Sequence, residues 1–188
     1  MRRVAVVGTT GSGKTTFARA LAARLGVPHV ELDALHWGPN WTARADFRER
    51  VAAATAADGW VTDGNYAPAR DIVLSRADTV VWLDLPLGVI FPRLIRRTVS
   101  RLVGREALFN GNREPILGLF DPEGPVIWAL RTHGRRRREY EALFATPEML
   151  HLDVHRIRSE SEANAWLRAV GPPGSGATQI GSRSRARE

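Results

Sequence analysis

The sequence predicts an α/β fold in which a parallel sheet is covered by helices. Three observations point there. Apolar, strand-like runs alternate with segments whose apolar residues recur at helical spacing along most of the 188 residues. The runs deliver Gly8, Asp33, Asp63 and Asp84 at or near their carboxyl ends, which sets polar residues along one edge of the sheet. An apolar content of 44% over this length suits one compact domain and leaves no room for two.

Taken in order, Arg2–Val7 reads as a strand buried on both faces. After a glycine-rich turn, Thr15–Leu25 carries Phe17, Leu21 and Leu25 on one helical face, and Gly26 and Pro28 end it. His29–Leu32 is a short strand followed by Asp33, and Trp37-Gly38-Pro39-Asn40-Trp41 is a turn. A helix over 43–57 presents Phe47 and Val51, Trp60–Thr62 forms the third strand, and Asp63-Gly64-Asn65-Tyr66 turns away from it. Val80–Leu85 is a further strand, interrupted by Asp84 and closed by Pro86. Leu87–Val103 is an amphipathic helix with Leu87, Phe91, Leu94, Ile95 and Leu102 apolar and Arg93, Arg97 and Arg101 repeating every four residues on another side. Pro92 marks its first turn or a kink. Residues 104–124 are polar and glycine-rich, the composition of a lid. Helix resumes near Pro125 and runs to Phe144 through Trp128, Arg131 and Arg135–Arg138, and Met149–Leu152 and Glu160–Val170 read as a last strand and a last helix. The domain is therefore expected over 1–170, and 171–188 has too little apolar content to order itself.

The 27 basic and 20 acidic residues give a net charge of +7. That excess is local: eleven arginines and four acids lie between Arg93 and Arg138. Lys14 is the one lysine of the chain. With no cysteine, disulfides, zinc–thiolate sites and cysteine nucleophiles are excluded. The first apolar run is too short for a signal peptide, and no stretch approaches the roughly 18 to 20 apolar residues of a membrane span, so a soluble cytoplasmic protein is expected.

Gly8-Thr9-Thr10-Gly11-Ser12-Gly13-Lys14-Thr15 matches G-x-x-x-x-G-K-[ST], directly after a strand and directly before a helix, and Thr16 continues the segment. Glycines let backbone N–H groups turn inward on phosphates, and the helix N-terminus favours negative charge. The motif predicts a nucleoside triphosphate, ATP with Mg²⁺, with Lys14 on the β- and γ-phosphates and the Thr15 hydroxyl on the metal. Arginine serves every other basic position, yet a slender ammonium stands where a planar guanidinium would not fit.

Beyond the loop, the ordered set GTTGSGKTT, ELDALHWGPNW, WVTDGNY and RADTVVWLDLP, followed by arginine-rich helices with a tryptophan between them, covers about residues 3–150. With these motifs the chain resembles the small P-loop kinases related to adenylate kinase, in particular bacterial adenylate-kinase-like proteins labelled DNA topology modulation proteins. The resemblance implies a three-layer P-loop NTPase fold with a five-stranded parallel sheet, an acceptor-binding insertion over about 33–60 and an arginine-rich lid over about 104–124. It implies that Asp63 orders magnesium-bound water and that Asp33 meets an acceptor hydroxyl or a metal water. His36, Trp37 and Trp41 would face the acceptor, and Tyr66 and Arg70 would orient it. Arg97, Arg101 and Arg135 are the expected catalytic arginines, Arg105 and Arg131 the expected nucleotide contacts, and Arg93 a further member. Asp84 is either a metal-side acid or a strand-end turn. The chain departs from adenylate kinases after Asp63-Gly64, where Asn65-Tyr66-Ala67 replaces an immediate proline and arginine, so AMP is not the necessary acceptor.

The leading expectation is an ATP-dependent phosphotransferase acting on a hydroxyl or phosphate of a small-molecule or nucleotide acceptor, as a monomer or homodimer. A nucleic-acid-associated P-loop ATPase is the alternative, which the charge suits but for which no DNA-reading module is present. A regulatory protein that binds ATP without turnover is the third.

Overall fold

The computed structural model describes residues 1–104, 110, 112 and 125–171. Five strands, β1 (Arg3–Gly8), β2 (His29–Glu31), β3 (Trp60–Asp63), β4 (Thr79–Leu83) and β5 (Asp153–Ile157), form one sheet in the order β2-β3-β1-β4-β5. All pairings are parallel. The helices are α1 (Lys14–Leu25), α2 (Leu32–His36), α3 (Phe47–Ala54), α4 (Arg70–Arg76), α5 (Leu87–Gly104), α6 (Pro125–Phe144) and α7 (Glu160–Ala169). No helix among the described residues is long and apolar enough to cross a membrane.

The two-residue period of β1 divides the core. Ala5 and Val7 face one side with Trp60, Val80, Trp82, Phe47, Val51, Val73 and Tyr140. Val4 and Val6 face the other with Val61, Val81, Leu83 and the α1 residues Phe17 and Leu21. Only a strand buried on both faces reads as the unbroken run Val4–Val7, and that is why β1 sits at the centre. Its neighbours lead in opposite sequence directions, β3 and β2 to one side and β4 and β5 to the other, so the order reverses at β1. A crevice opens at the carboxyl end of a strand at such a point, and the loop into α1 lies there.

Several expected elements shift. The last strand is Asp153–Ile157, directly after the expected Met149–Leu152, and Met149 itself ends a 3-10 turn over Pro147–Met149. The edge position explains the error: β5 carries Asp153, His155 and Arg156, whose polarity hides the strand from an apolar-run criterion. The third helix is shorter than 43–57, because Ala43 pairs with Trp37 in an antiparallel bridge and Asp46 precedes its first residue. Asp33 lies inside α2 and not in a turn after β2. Pro92 falls six residues into α5 and not in its first turn. Helix α4 was not anticipated, since its seven residues are too few for a clear period.

Candidate active site

The loop between β1 and α1 is held from three sides. Gly13 takes a left-handed φ of 86° as the residue before α1, a conformation that side chains disfavour. Asn65, in the turn after β3, donates its amide to the Gly8 carbonyl, and its Oδ1 accepts from the Gly8 N–H at 3.3 Å. Tyr140 of α6 donates to the same Oδ1 at 2.8 Å. Lys14 Nζ folds back to donate to the Thr9 carbonyl at 3.1 Å, and the Ser12 hydroxyl is buried without a hydrogen-bond partner among the described residues. The Thr9 hydroxyl lies 3.2 Å from His133 Nδ1 on α6.

Carboxylates meet this loop from β2, α2 and β3. The Thr15 hydroxyl donates to Asp63 Oδ2 at 2.5 Å, and His29 Nε2 stands 2.9 Å from Asp63 Oδ1. Tyr66 donates to Asp33 Oδ1 at 2.6 Å. Burial lowers the Lys14 pKa to about 8; Asp33 and Asp63 oppose that shift, while Arg136 and Arg97 add to it. Burial, reinforced by Asp63 and Asp33, raises the pKa of Glu31. Burial together with the Asp33 charge and hydrogen bond raises that of Tyr66, which keeps its hydroxyl a donor.

No group of three or more histidine, aspartate or glutamate residues suited to a metal occurs among the described residues. The oxygens of Thr15 and Asp63, side by side at the loop, nonetheless suit a hard cation such as Mg²⁺, whose remaining positions are taken by water and phosphate. The residues present therefore fit that ion.

Above the loop lies a cleft of about 1400 Å³. Its lining includes the acids Glu31, Asp33 and Asp63, the aromatic residues Trp37, Trp41 and Tyr66, and, from α5 and α6, Arg93, Arg97, Trp128 and Arg136.

Comparison with known proteins agrees with this architecture. Residues 4–59 match the model of the ATPase family associated with various cellular activities (AAA). A shikimate kinase from Acinetobacter baumannii, solved with shikimate, superimposes with a TM-score of 0.54 at 20% identity, covering 89% of each chain. The chain has a P-loop kinase fold. Among curated proteins, an uncharacterized Bacillus subtilis protein, YqaC, is 28% identical over 60% of this chain and 65% of its own length. An adenylate kinase of Streptomyces avermitilis is 27% identical over 71% of this chain and 58% of its own length. The chain thus spans less than two thirds of these relatives.

Within the P-loop kinase fold the expected site residues separate into groups. Thr10, Gly11, Ser12, Gly13, Lys14, Thr15 and Thr16 line the cleft with Asp33, Asp63, Trp37, Trp41, Tyr66, Arg93 and Arg97. His36 does not line it: its ring packs against Tyr66, Trp37 and Phe47 at 4.4, 4.6 and 4.8 Å. Arg70 does not either, lying over the Tyr140 ring at 5.9 Å. Arg131 and Arg135 are exposed on α6, and Arg135 pairs with Glu139 at 3.3 Å. Arg101 belongs to α5, its side chain lies outside the description, and Arg105 is outside the described residues, as is most of 104–124. Asp84 binds Arg137 and Arg156 at 3.1 and 2.7 Å and does not line the cleft.

Asn65, Glu31, His29 and Arg136 were missed. A signal for Arg136 existed: Ala129, Thr132, His133, Arg136 and Tyr140 follow the inward spacing of one helical face, and Arg135 and Arg138 fall outside it.

Proposed function

We propose that the chain is an ATP-dependent phosphotransferase that moves the γ-phosphoryl group of ATP onto a hydroxyl of a small acceptor held at Asp33. One observation carries this reading. Lys14 and its loop, the acids Asp33 and Asp63, and the arginines Arg97 and Arg136 all line one cleft, so groups suited to an acceptor hydroxyl and groups suited to phosphate share a single site.

In this reading the loop N–H groups and Lys14 hold the β- and γ-phosphates. Thr15 and, through water, Asp63 would hold Mg²⁺, which when bound offsets charge on the transferring group. Asp33, kept in place by Tyr66, accepts a hydrogen bond from the acceptor hydroxyl and aims its oxygen at phosphorus. The acceptor oxygen bonds to phosphorus, the bond from phosphorus to the bridging oxygen of ADP breaks, and the hydroxyl proton leaves to Asp33 or water. Arg97 and Arg136 stabilise charge on the phosphoryl oxygens, and Trp37, Trp41 and Trp128 cover the acceptor. The similarity to an adenylate kinase and to a shikimate kinase suggests either a nucleotide or a hydroxy acid as acceptor. The Asp33–Tyr66 pair favours the hydroxyl, since a carboxylate repels an acceptor phosphate.

The test is ADP release screened over nucleoside monophosphates, nucleosides, sugars and hydroxy acids, with Asp33→Asn as the comparison. An acceptor that raises release, and loses that effect in Asp33→Asn, supports the proposal. Release that stays at the water background with every acceptor refutes it.

The exposed Arg131, Arg135 and Arg138 on α6 favour a second reading, a nucleic-acid-associated ATPase. Its mark is DNA affinity that falls steeply with salt, without acceptor-dependent ADP release.

A further inference from the structure

The turn between α2 and α3 contains two consecutive residues in the left-handed region, Asn40 at φ 55° and Trp41 at φ 54°. A bulky residue is rarely found there, and such a conformation persists where the surroundings over-determine it. Here the surroundings include a side chain from far along the chain. Asn112 is 5% exposed. Its Oδ1 accepts from the Trp41 N–H at 3.0 Å, and its Nδ2 donates to the Gly38 carbonyl at 2.8 Å. One buried amide therefore spans both sides of the turn. The turn closes on itself as well: Gly38 N–H donates to the Thr42 carbonyl and the Thr42 hydroxyl to that of Pro39, both at 2.8 Å. Asn110 donates to the Trp37 carbonyl. The indoles of Trp37 and Trp41 meet edge to face at 5.6 Å, and both line the cleft that Arg97 and Arg136 also line.

We infer that Asn112 is a positioning residue for the acceptor. It fixes the left-handed turn that aims Trp41, together with Trp37, into the cleft wall, and it thereby selects an acceptor that carries a flat or apolar face beside its hydroxyl. The inference rests on the proposed reading of that wall as the acceptor site, but its first tests do not require turnover.

Two coupled indoles produce an exciton couplet in far-ultraviolet circular dichroism, isolated here as the difference between the parent chain and Trp41→Phe. In an Asn112→Ala background the same difference should fall to less than about half, because the amide that orders the turn is lost, while ATP affinity holds within about twofold. An unchanged couplet overturns the proposal. Should Asn112→Ala fail to fold, amide hydrogen exchange on the unmodified chain decides: the Trp41 N–H should exchange at least about tenfold more slowly than in a free peptide, and exchange at the free-peptide rate overturns the proposal. With any acceptor that releases ADP, Asn112→Ala should raise its KM by roughly tenfold, the equivalent of one to two lost hydrogen bonds, and change kcat far less. An equal fall in kcat with unchanged KM overturns the positioning role. If the couplet and the exchange behave as expected and no acceptor works, the phosphotransferase reading fails and the role of Asn112 in the turn stands.

Discussion

Gly11 occupies a position at which the phosphate-loop motif demands no glycine, and Gly11→Ala probes why one is present. The residue has φ +85°, and a Cβ built on it would meet Leu94 Cγ at 2.5 Å, Leu94 Cδ2 at 2.9 Å and Ile90 Cγ2 at 3.1 Å. Leu94 and Ile90 are fully buried in a small cluster with Leu85 and Ala129 that joins α5 and α6. Two costs add. A left-handed non-glycine residue costs roughly 1–2 kcal/mol, and forcing a methyl group into packed side chains costs about 1–3 kcal/mol more. Gly11→Ala should therefore destabilise the chain by about 2–5 kcal/mol, a large share of the 5–15 kcal/mol typical of a domain. Because the loop must yield as well, ATP affinity should fall by about tenfold or more, the equivalent of one displaced hydrogen bond to a charged group.

The assays are urea unfolding and titration calorimetry with ATP. Leu94→Ala separates the two costs. Alone it leaves a cavity and costs about 2–5 kcal/mol; combined with Gly11→Ala it makes room for the methyl group. The double variant should be more stable than the sum of the singles by about 1–2 kcal/mol, with the backbone cost remaining. If Gly11→Ala stays within about 0.5 kcal/mol of the parent, or the two changes add within that margin, contact with Leu94 is not what requires glycine.

Further predictions concern charge. With a Lys14 pKa of about 8 in the free chain, ATP should bind with proton uptake above that pH, and affinity should weaken by up to about tenfold per pH unit; calorimetry in two buffers of different ionisation enthalpy measures it, and constant affinity through pH 9.5 would contradict it. Lys14→Ala should abolish both the pH dependence and the tight binding. Asp78 accepts from the Arg2 and Arg3 N–H groups at 2.9 and 3.0 Å, and although burial opposes the shift, these bonds and the Thr79 hydroxyl lower its pKa. Its stabilisation is therefore complete above the unfolded value of about 3.9 and is lost as pH falls through the lower folded value. Asp78→Ala should cost about 1–2 kcal/mol at pH 7 and flatten the acid limb of the unfolding profile; an unchanged limb would count against the assignment. Tyr66→Phe frees Asp33 Oδ1 and should lower acceptor-dependent ADP release by about tenfold while ATP affinity holds within about twofold; equal losses in both would move Tyr66 to the nucleotide side.

The central strands were legible because the sheet buries them on both faces, and an unbroken run such as Val4–Val7 has few other readings. The loop was legible because phosphate binding fixes residue types at fixed spacing. What the sequence did not reveal depends on contacts between distant segments. Strand β5 is held at the edge by Arg156 over the Trp82 ring at 4.2 Å and by His155 against Trp166 at 5.2 Å, so its polarity conceals it. Asn65 looks like any turn asparagine until Gly8 and Tyr140 are found on its amide group. Asn112 stands in a glycine-rich stretch, and its partners lie 71 and 74 residues away. Arg70 and His36 illustrate the opposite case: each follows a strand end in a suggestive motif, and each packs against aromatic rings outside the cleft.

The arginine run from 135 to 138 is one feature in the sequence and several in the structure. Arg137 reaches Asp84, whose side chain is only 3% exposed and which also takes Arg156. A carboxylate neutralised by two guanidinium groups is poorly placed to serve a metal as well. Asp84 instead anchors α6 to the end of β4, and Arg156 extends the anchor to Glu141 at 2.7 Å. One turn earlier on α6, His133 meets Thr9 of the loop. Between these two attachments Arg136 lines the cleft, so the sheet and the loop both help to set its position. Arg135 and Arg138 point outward and do not line the cleft. The positive charge of this region therefore divides into a cation lining the cleft, an anchor on the buried Asp84 and an outer face, and the anchor, with the His133 contact, holds α6 where Arg136 reaches the cleft.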